Sequence, residues 1–496
     1  MPIDRQSLSQ SPGSKTTTLL SFFTDAPEYM ASALKNPQTI WSSSRVLPIF
    51  WADSSSSRDA GDGGHGSSSI CRHRVGSWVC GLLAGVSLLA IVLAGFTLVV
   101  LVVICAYKKH PPAPYTIDME APLPSTVEAR RRAARIELDQ KAEQINNDDS
   151  MDEVAKIDAL AELRHWFSAE NTVLDAYLAD RISLSQAVDS LAGPIDEAYS
   201  TGDHGMGAWN AERIARSQRK VYSPEEALRR YGPQEDIPHP GEEAAALQTT
   251  GDLLWNMWLG LVHAAKRIPW TDAAQQDKLL RFVQALKARP DPPLPERVTP
   301  ALRSVWTWQS GKLWSELHML SMTMAEVCNE TPGCASGWTP LERRVWLNLN
   351  AFMARLTVSG ICEMHGFGAG WTFVSAFESR EPDPRCPLPM PEAMAHYITV
   401  LSIWMFIAGR VMYERRLREE RPELDKGLRG EDIPLNARWR GELPWGNNTF
   451  VTDARWTYWH RMLAHLSHQE ELDDETRAMA GRTANTMISI QSESKG

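Results

Sequence analysis

Four residues in the middle of the chain, Cys328, Cys334, Cys362 and His365, are of the types that hold zinc. Their spacing argues against it. Five residues separate the first pair, outside the spacer of two to four typical of structural zinc sites, and no second close pair exists. Reduced thiols on helix ends and loops suffice, with oxidation of Cys328 to Cys334 as the alternative in an oxidising compartment. Gly366-Phe-Gly-Ala-Gly370 has the look of a phosphate cradle but follows a helical pattern, and it lacks the Lys-Ser/Thr of a P-loop. Gly202-Asp-His-Gly-Met-Gly207 is a second loop of this kind. The histidines at 204, 263, 318, 396, 460 and 465 are scattered, and no nucleophile elbow or metalloprotease motif accompanies them. Asp203-His204 and the His263/Lys266 pair are the residual acid–base candidates, read first as a structural histidine and a solvated lysine. The expected catalytic, cofactor and metal residues are therefore none.

The elements that would have to position such residues are helices. Val154, Ile157, Leu160, Leu163 and Phe167 recur at spacings of three and four, as do Leu254, Met257/Trp258, Leu261 and Ala265. Ser125-Thr-Val-Glu128 has capping-box spacing and opens an Arg-, Glu- and Ala-rich run to about Asn146, read as a solvated helix. Val173 to Tyr199 reads as two short helices, and 202–240 as a long connection with one helix near Ala208 to Lys220. Thr271 is placed to cap a helix carrying Leu279, Phe282/Val283 and Leu286. Leu302 to Val327 continues the helical theme. Thr339-Pro-Leu-Glu342 combines a capping box with proline at the first helical position, ahead of Val345, Leu349, Phe352 and Leu356. The closing helices are expected near Thr452 to Leu466 and Asp474 to Ile490. No segment after His110 alternates with period two, so no sheet is expected.

One stretch differs in kind. Val75 to Tyr107 carries no charge over 33 residues, where about 20 span a bilayer as a helix. Arg72 and Arg74 precede it; Lys108, Lys109, Pro111 and Pro112 follow. It reads as one transmembrane helix, residues 75–107, and the membrane is the expected partner. Residues 1–70 are rich in Ser and Gly without apolar periodicity and read as a disordered tail. Residues 108–150 form a Pro-rich link and the solvated helix, and 151–490 an all-helical domain. Ile398 to Gly409 is nearly all apolar, but a run of about 12 residues fits a buried core helix better than a second span.

Charge divides the chain unequally. Nine Lys/Arg face six Asp/Glu through His110, while the whole chain carries −10, leaving −13 downstream. An acidic domain repels phosphate backbones, so no nucleic acid is expected as partner, whereas a protein partner fits. The arginines at 130–135 and 415–421 are interleaved with glutamates, as on solvated helix faces. The 19 tryptophans include 255/258, 306/308/314 and 456/459, which fall on helical stripes and are read as core. Seven cysteines, two of them inside the apolar stretch, suit a reducing compartment and place the helical domain on the cytosolic side.

Ala176-Tyr-Leu-Ala-Asp-Arg-Ile-Ser-Leu-Ser-Gln-Ala-Val-Asp-Ser-Leu-Ala-Gly-Pro-Ile-Asp196 resembles the opening of a fungal family known as domain of unknown function 3632. Leu254-Trp-Asn-Met-Trp258 with His263 to Pro269 is similar to its central helix. Trp346 to Leu356 and Arg455-Trp-Thr-Tyr-Trp459 are similar to later landmarks, so the resemblance runs roughly from Met151 to Ile490. It implies an all-helical domain and brings no catalytic residue or cofactor. The expected function is a single-pass membrane protein presenting an acidic helical binding or scaffold domain. Two alternatives stay open: a small-molecule enzyme whose dispersed site would bring His263, Arg355 or His460 together, and a soluble helical protein beginning near Met119.

Overall fold

A computed structural model describes residues 126–362, 364, 366–379, 385–418, 429–437, 443, 445 and 451–494, all within the unit Pro124–Gly496. The tail 1–70, the apolar stretch 75–107 and the link up to Ser125 lie outside the described residues. The main helices are α1 Thr126–Asn146, α2 Glu153–Arg164, α3 Thr172–Leu178, α4 Leu184–Ser200, α5 Met206–Gln218, α6 Pro224–Tyr231, α7 Thr250–Arg267 and α8 Ala273–Ala288. After them come α9 Leu320–Val327, α10 Pro340–Val358, α11 Met390–Arg418, α12 Asp453–Leu466 and α13 Asp474–Glu493. Short turns at 242–245, 300–304 and 306–309 join them. The described residues contain no strand, only an isolated bridge between Pro332 and Ser336. The fold is all-α.

α10 is the central helix. It lies against α7 on one side and α11 on the other, and α11 in turn packs on α13, which packs on α12. The helix starts where its sequence says it should. Thr339 accepts from the Glu342 N–H, Glu342 reaches back to the Thr339 N–H, and Pro340 occupies the first position. Val345, Leu349, Phe352 and Leu356 are all buried. Glu342 does more than cap. Fully inside the protein, it also accepts from Gly337 N at 2.8 Å and from Arg164 Nε at 2.7 Å, tying α2 to the start of α10. Ala142, Ile157, Leu160, Trp166, Leu341 and Val345 form a small satellite core beneath that link.

α11 is long and apolar enough to cross a membrane by composition, with a mean hydropathy of 1.3 over its 18-residue window, and it is the one such helix among the described residues. Its packing is that of a core helix. Ile398, Leu401 and Trp404 are fully buried, and 61% of the window lies inside the domain.

Several local expectations need correcting. The cap of α8 is Asp272, not Thr271, and it accepts from Gln275 N at 3.1 Å. The 202–240 connection holds two helices, since Ser223 caps α6 with Pro224 at its first position. Leu302 to Val327 is broken into short pieces. Val154 is exposed, and Phe167 lies beyond the end of α2, which closes at His165 in the left-handed conformation. Among the tryptophans read as core, Trp306 is 42% exposed and stacks on His318 at 4.2 Å.

Candidate functional site

His263 and Lys266 lie one turn apart on α7, and the structure places both inside the protein. Lys266 is not solvated: its ammonium is fully buried, pairs with the carboxylate of Glu330, donates to Phe167 O at 3.1 Å and sits over the Trp166 ring at 5.2 Å. Glu330 in turn accepts from the Phe167 N–H. The two charged groups thus bracket one peptide unit, the acid on its N–H and the amine on its carbonyl. Burial pulls the Lys266 ammonium down and pushes the Glu330 carboxyl up, and their mutual attraction opposes both.

His263 contacts Asp158 of α2 at 2.8 Å through Nε2, and burial holds its pKa below the ordinary imidazole value against the pull of that carboxylate. Its Nδ1 has no hydrogen-bond partner. Arg267 on the same helix reaches Asp158 and, at 3.1 Å, Asp175 of α3. Around them Asn348 of α10 donates to Lys266 O at 2.8 Å and accepts from Trp270 N at 2.8 Å. This polar network joins α2, α3, α7 and α10 and engages its members with one another. Arg355 pairs with Asp277 at 3.0 Å, and His460, lowered by burial and the nearby Arg461, lies on α12. Each of the three residues named for a dispersed site thus has its own separate set of partners or its own helix.

The other candidates serve the fold. Asp203, in the loop that follows α4, accepts from both the Thr250 N–H and its hydroxyl at 2.7 Å, holding the start of α7. Burial raises its pKa. Asp203 and His204 both have positive φ, so that loop is spent on a helix start. Gly366–Gly370 forms a π-helical turn, and Gly368 lies against the Trp404 ring so closely that a Cβ there would enter the indole. Cysteines 328, 334, 362 and 386 form no disulfide. Cys328 donates to Met324 O, while Cys362 and Ser321 share a hydrogen bond. Burial pushes the Cys328 thiol up to about 12. No group of metal-holding residues occurs among the described residues; His365 is not one of these.

Sequence reasoning missed a second buried ion pair. Glu378, at the end of a second π-helical turn, accepts from Arg455 Nε at 2.7 Å and from Trp459 Nε1 at 2.7 Å. Arg455, wholly buried, lies over the rings of Trp445 and Trp459 at 5.4 and 5.5 Å. The pattern recurs through the core: Trp258 donates to His318 O, Trp314 to Asp196 and Trp404 to Asn350, each at 2.6 to 2.8 Å.

An open pocket of about 640 Å³ lies between the start of α11 and the end of α12. Met390, Met394, Leu435, Met462, Leu466 and Leu472 supply its apolar wall, with Asn436, His465, Gln469 and Glu471 as polar members. Thioethers rotate freely and adapt to irregular apolar surfaces. The arrangement suits contact with an apolar group.

Fold and site together define an all-helical domain with a polar interior that is largely paired off and an apolar surface pocket. Residues 258–463 match the family model described as protein of unknown function (DUF3632). The resemblance read from the sequence therefore holds over that range, from within α7 to within α12. The stretch 176–196 falls before it. No curated protein and no solved structure matches the chain.

Proposed function

We propose that this chain is a non-enzymatic, single-pass membrane protein that presents its acidic helical domain as a binding or scaffold surface. The observation that carries the reading is how the polar side chains are used. His263, Lys266, Arg355 and Arg455 are each held by an acidic partner within the fold, while the open pocket offers methionine and leucine. A polar group already held in a network is costly to release for chemistry. An adaptable apolar wall instead favours a ligand or partner side chain that brings apolar surface of its own.

The tether is the charge-free stretch 75–107, whose length exceeds the roughly 20 residues a bilayer requires. The helical domain faces the cytosol, where its thiols stay reduced. The test is the intact mass of the native product, followed by sedimentation of membranes washed in alkaline carbonate. Full-length product retained in the pellet supports the tether. A shorter, soluble product beginning near Met119 overturns it and leaves the helical domain as a soluble protein.

A further inference from the structure

We propose that the pocket between α11 and α12 receives the apolar face of a basic amphipathic helix carried by a partner protein. The proposal rests on the binding reading of this pocket and names the class of partner. Two helix rows form its walls. Met390 and Met394 lie one turn apart at the start of α11, and Met462 and Leu466 one turn apart at the end of α12. A helix laid against such rows presents its own apolar side chains at spacings of three and four residues. The volume suits several of them: at about 640 Å³ it is roughly four times the ~150 Å³ that accepts one benzene ring. Methionine adapts its shape to whichever side chains arrive.

Charge beside the pocket selects the sign of the partner. From His468 to Glu475 the chain carries five acids and no Lys or Arg, and Glu471 belongs to the pocket wall. All five acids are exposed. Asp473 caps α13 and Asp474 pairs with Arg477, while the carboxylates of Glu470, Glu471 and Glu475 face solvent. On the segment that supplies Leu435, Glu431 and Asp432 are exposed as well. Two arginines of this region turn to backbone carbonyls. Arg461 donates to Gly430 O and Ile433 O, both at 2.7 Å, and Arg477 donates to Leu472 O at 2.6 Å. An apolar site bordered by carboxylates attracts lysine and arginine and repels an anionic chain such as a fatty acid.

The test uses the full chain in phosphatidylcholine vesicles, with protein-free vesicles as the blank. The probe is a fluorescein-labelled peptide of about 14 leucine and lysine residues, with leucine at helical spacing. Its controls are the same pattern with glutamate in place of lysine, and palmitate. Fluorescence anisotropy reads the peptides, and displacement of an apolar dye reads all three. The Leu/Lys peptide should displace the dye and bind at least about tenfold more tightly than the Leu/Glu peptide. Glu470→Gln with Glu471→Gln, both in the exposed turn after α12, should weaken it about fivefold, as should high salt. Met390→Lys, at a wall position 41% exposed, should weaken it at least about tenfold.

Full peptide binding in the Met390→Lys variant places the helix elsewhere and overturns the proposal. Equal affinity for the two peptides overturns the basic partner and leaves the apolar pocket standing. Palmitate displacing the dye where the Leu/Lys peptide does not assigns the pocket to an acyl chain and overturns the helix. A protein that binds neither the peptides nor the dye overturns the binding reading of the pocket as well.

Discussion

Replacing Lys266 with methionine is the sharpest test of the interior described here. Lys266 and Glu330 bracket the Phe167 peptide, and their side chains are 1% and 3% exposed. Methionine fills nearly the same volume, so packing changes little. What is lost is the charge facing Glu330 and the donor to Phe167 O. Removing one partner of a buried pair costs about 3–5 kcal/mol, a large share of the stability of an ordinary domain. Glu330 already has its pKa raised by burial and loses the neighbour that opposed the rise.

The folded variant should then hold a proton on Glu330 at a pH where the unfolded chain does not, so its deficit against the parent shrinks as pH falls from 8 to 6. Adding Glu330→Gln keeps an acceptor for the Phe167 N–H and removes the stranded charge. The double variant should recover most of the loss and sit within about 2 kcal/mol of the parent. Urea unfolding followed by tryptophan fluorescence at the two pH values measures all of this. A single variant within about 1 kcal/mol of the parent, or a double variant less stable than the single, would refute the pairing argument.

Four further outcomes follow from the same geometry. His396 is fully enclosed against Trp338, and burial with the nearby Arg343 lowers its pKa to about 3. The unfolded chain therefore binds a proton that the folded one refuses: this contribution to stability is complete above pH 6.5 and is lost as pH falls toward 3, by ~1.4 kcal/mol per pH unit. His396→Leu should flatten that slope in urea melts taken between pH 7 and 5. Gly368→Ala would drive a methyl into the Trp404 ring that Asn350 holds, costing about 1–3 kcal/mol, visible as a lower melting temperature. Thr339→Ala removes the cap of α10 at a cost of about 1 kcal/mol, measured by urea unfolding. Met462→Lys places an ammonium in the α11–α12 pocket and should weaken binding of an apolar fluorescent dye at least fivefold, the change a ~1 kcal/mol loss of apolar contact would produce.

What the sequence made legible was local. Thr339-Pro-Leu-Glu342 carries cap, proline and acid within four residues, and the helix follows from them. Ser223-Pro224-Glu-Glu226 held much the same signals before α6 and was passed over because prolines and glycines around it suggested a loop. Lys266 was misread because its partner lies 64 residues away, and nothing in a lysine's neighbours along the chain records that the fold will enclose it. Glu378 and Arg455, separated by 77 residues, were hidden for the same reason. Trp306 shows the converse error: helical spacing proposed a core position that the short 306–309 turn leaves open to solvent. The pocket joins residues from α11, α12 and the 435–436 turn, so no single segment announced it.

The ties that fix α1 and α2 have a consequence for the order in which the chain assembles during synthesis. Arg164 finds Glu342 only 178 residues later, and Arg135 waits 198 for Gly333. At about 5–20 residues per second, a ribosome needs roughly 10–35 s to supply Glu342 after Arg164. Throughout that interval the first two helices lack the satellite core contributed by Leu341 and Val345. They are the first of the described helices to emerge and wait 178 residues or more for these ties, a window in which a chaperone could hold them and a protease could cut.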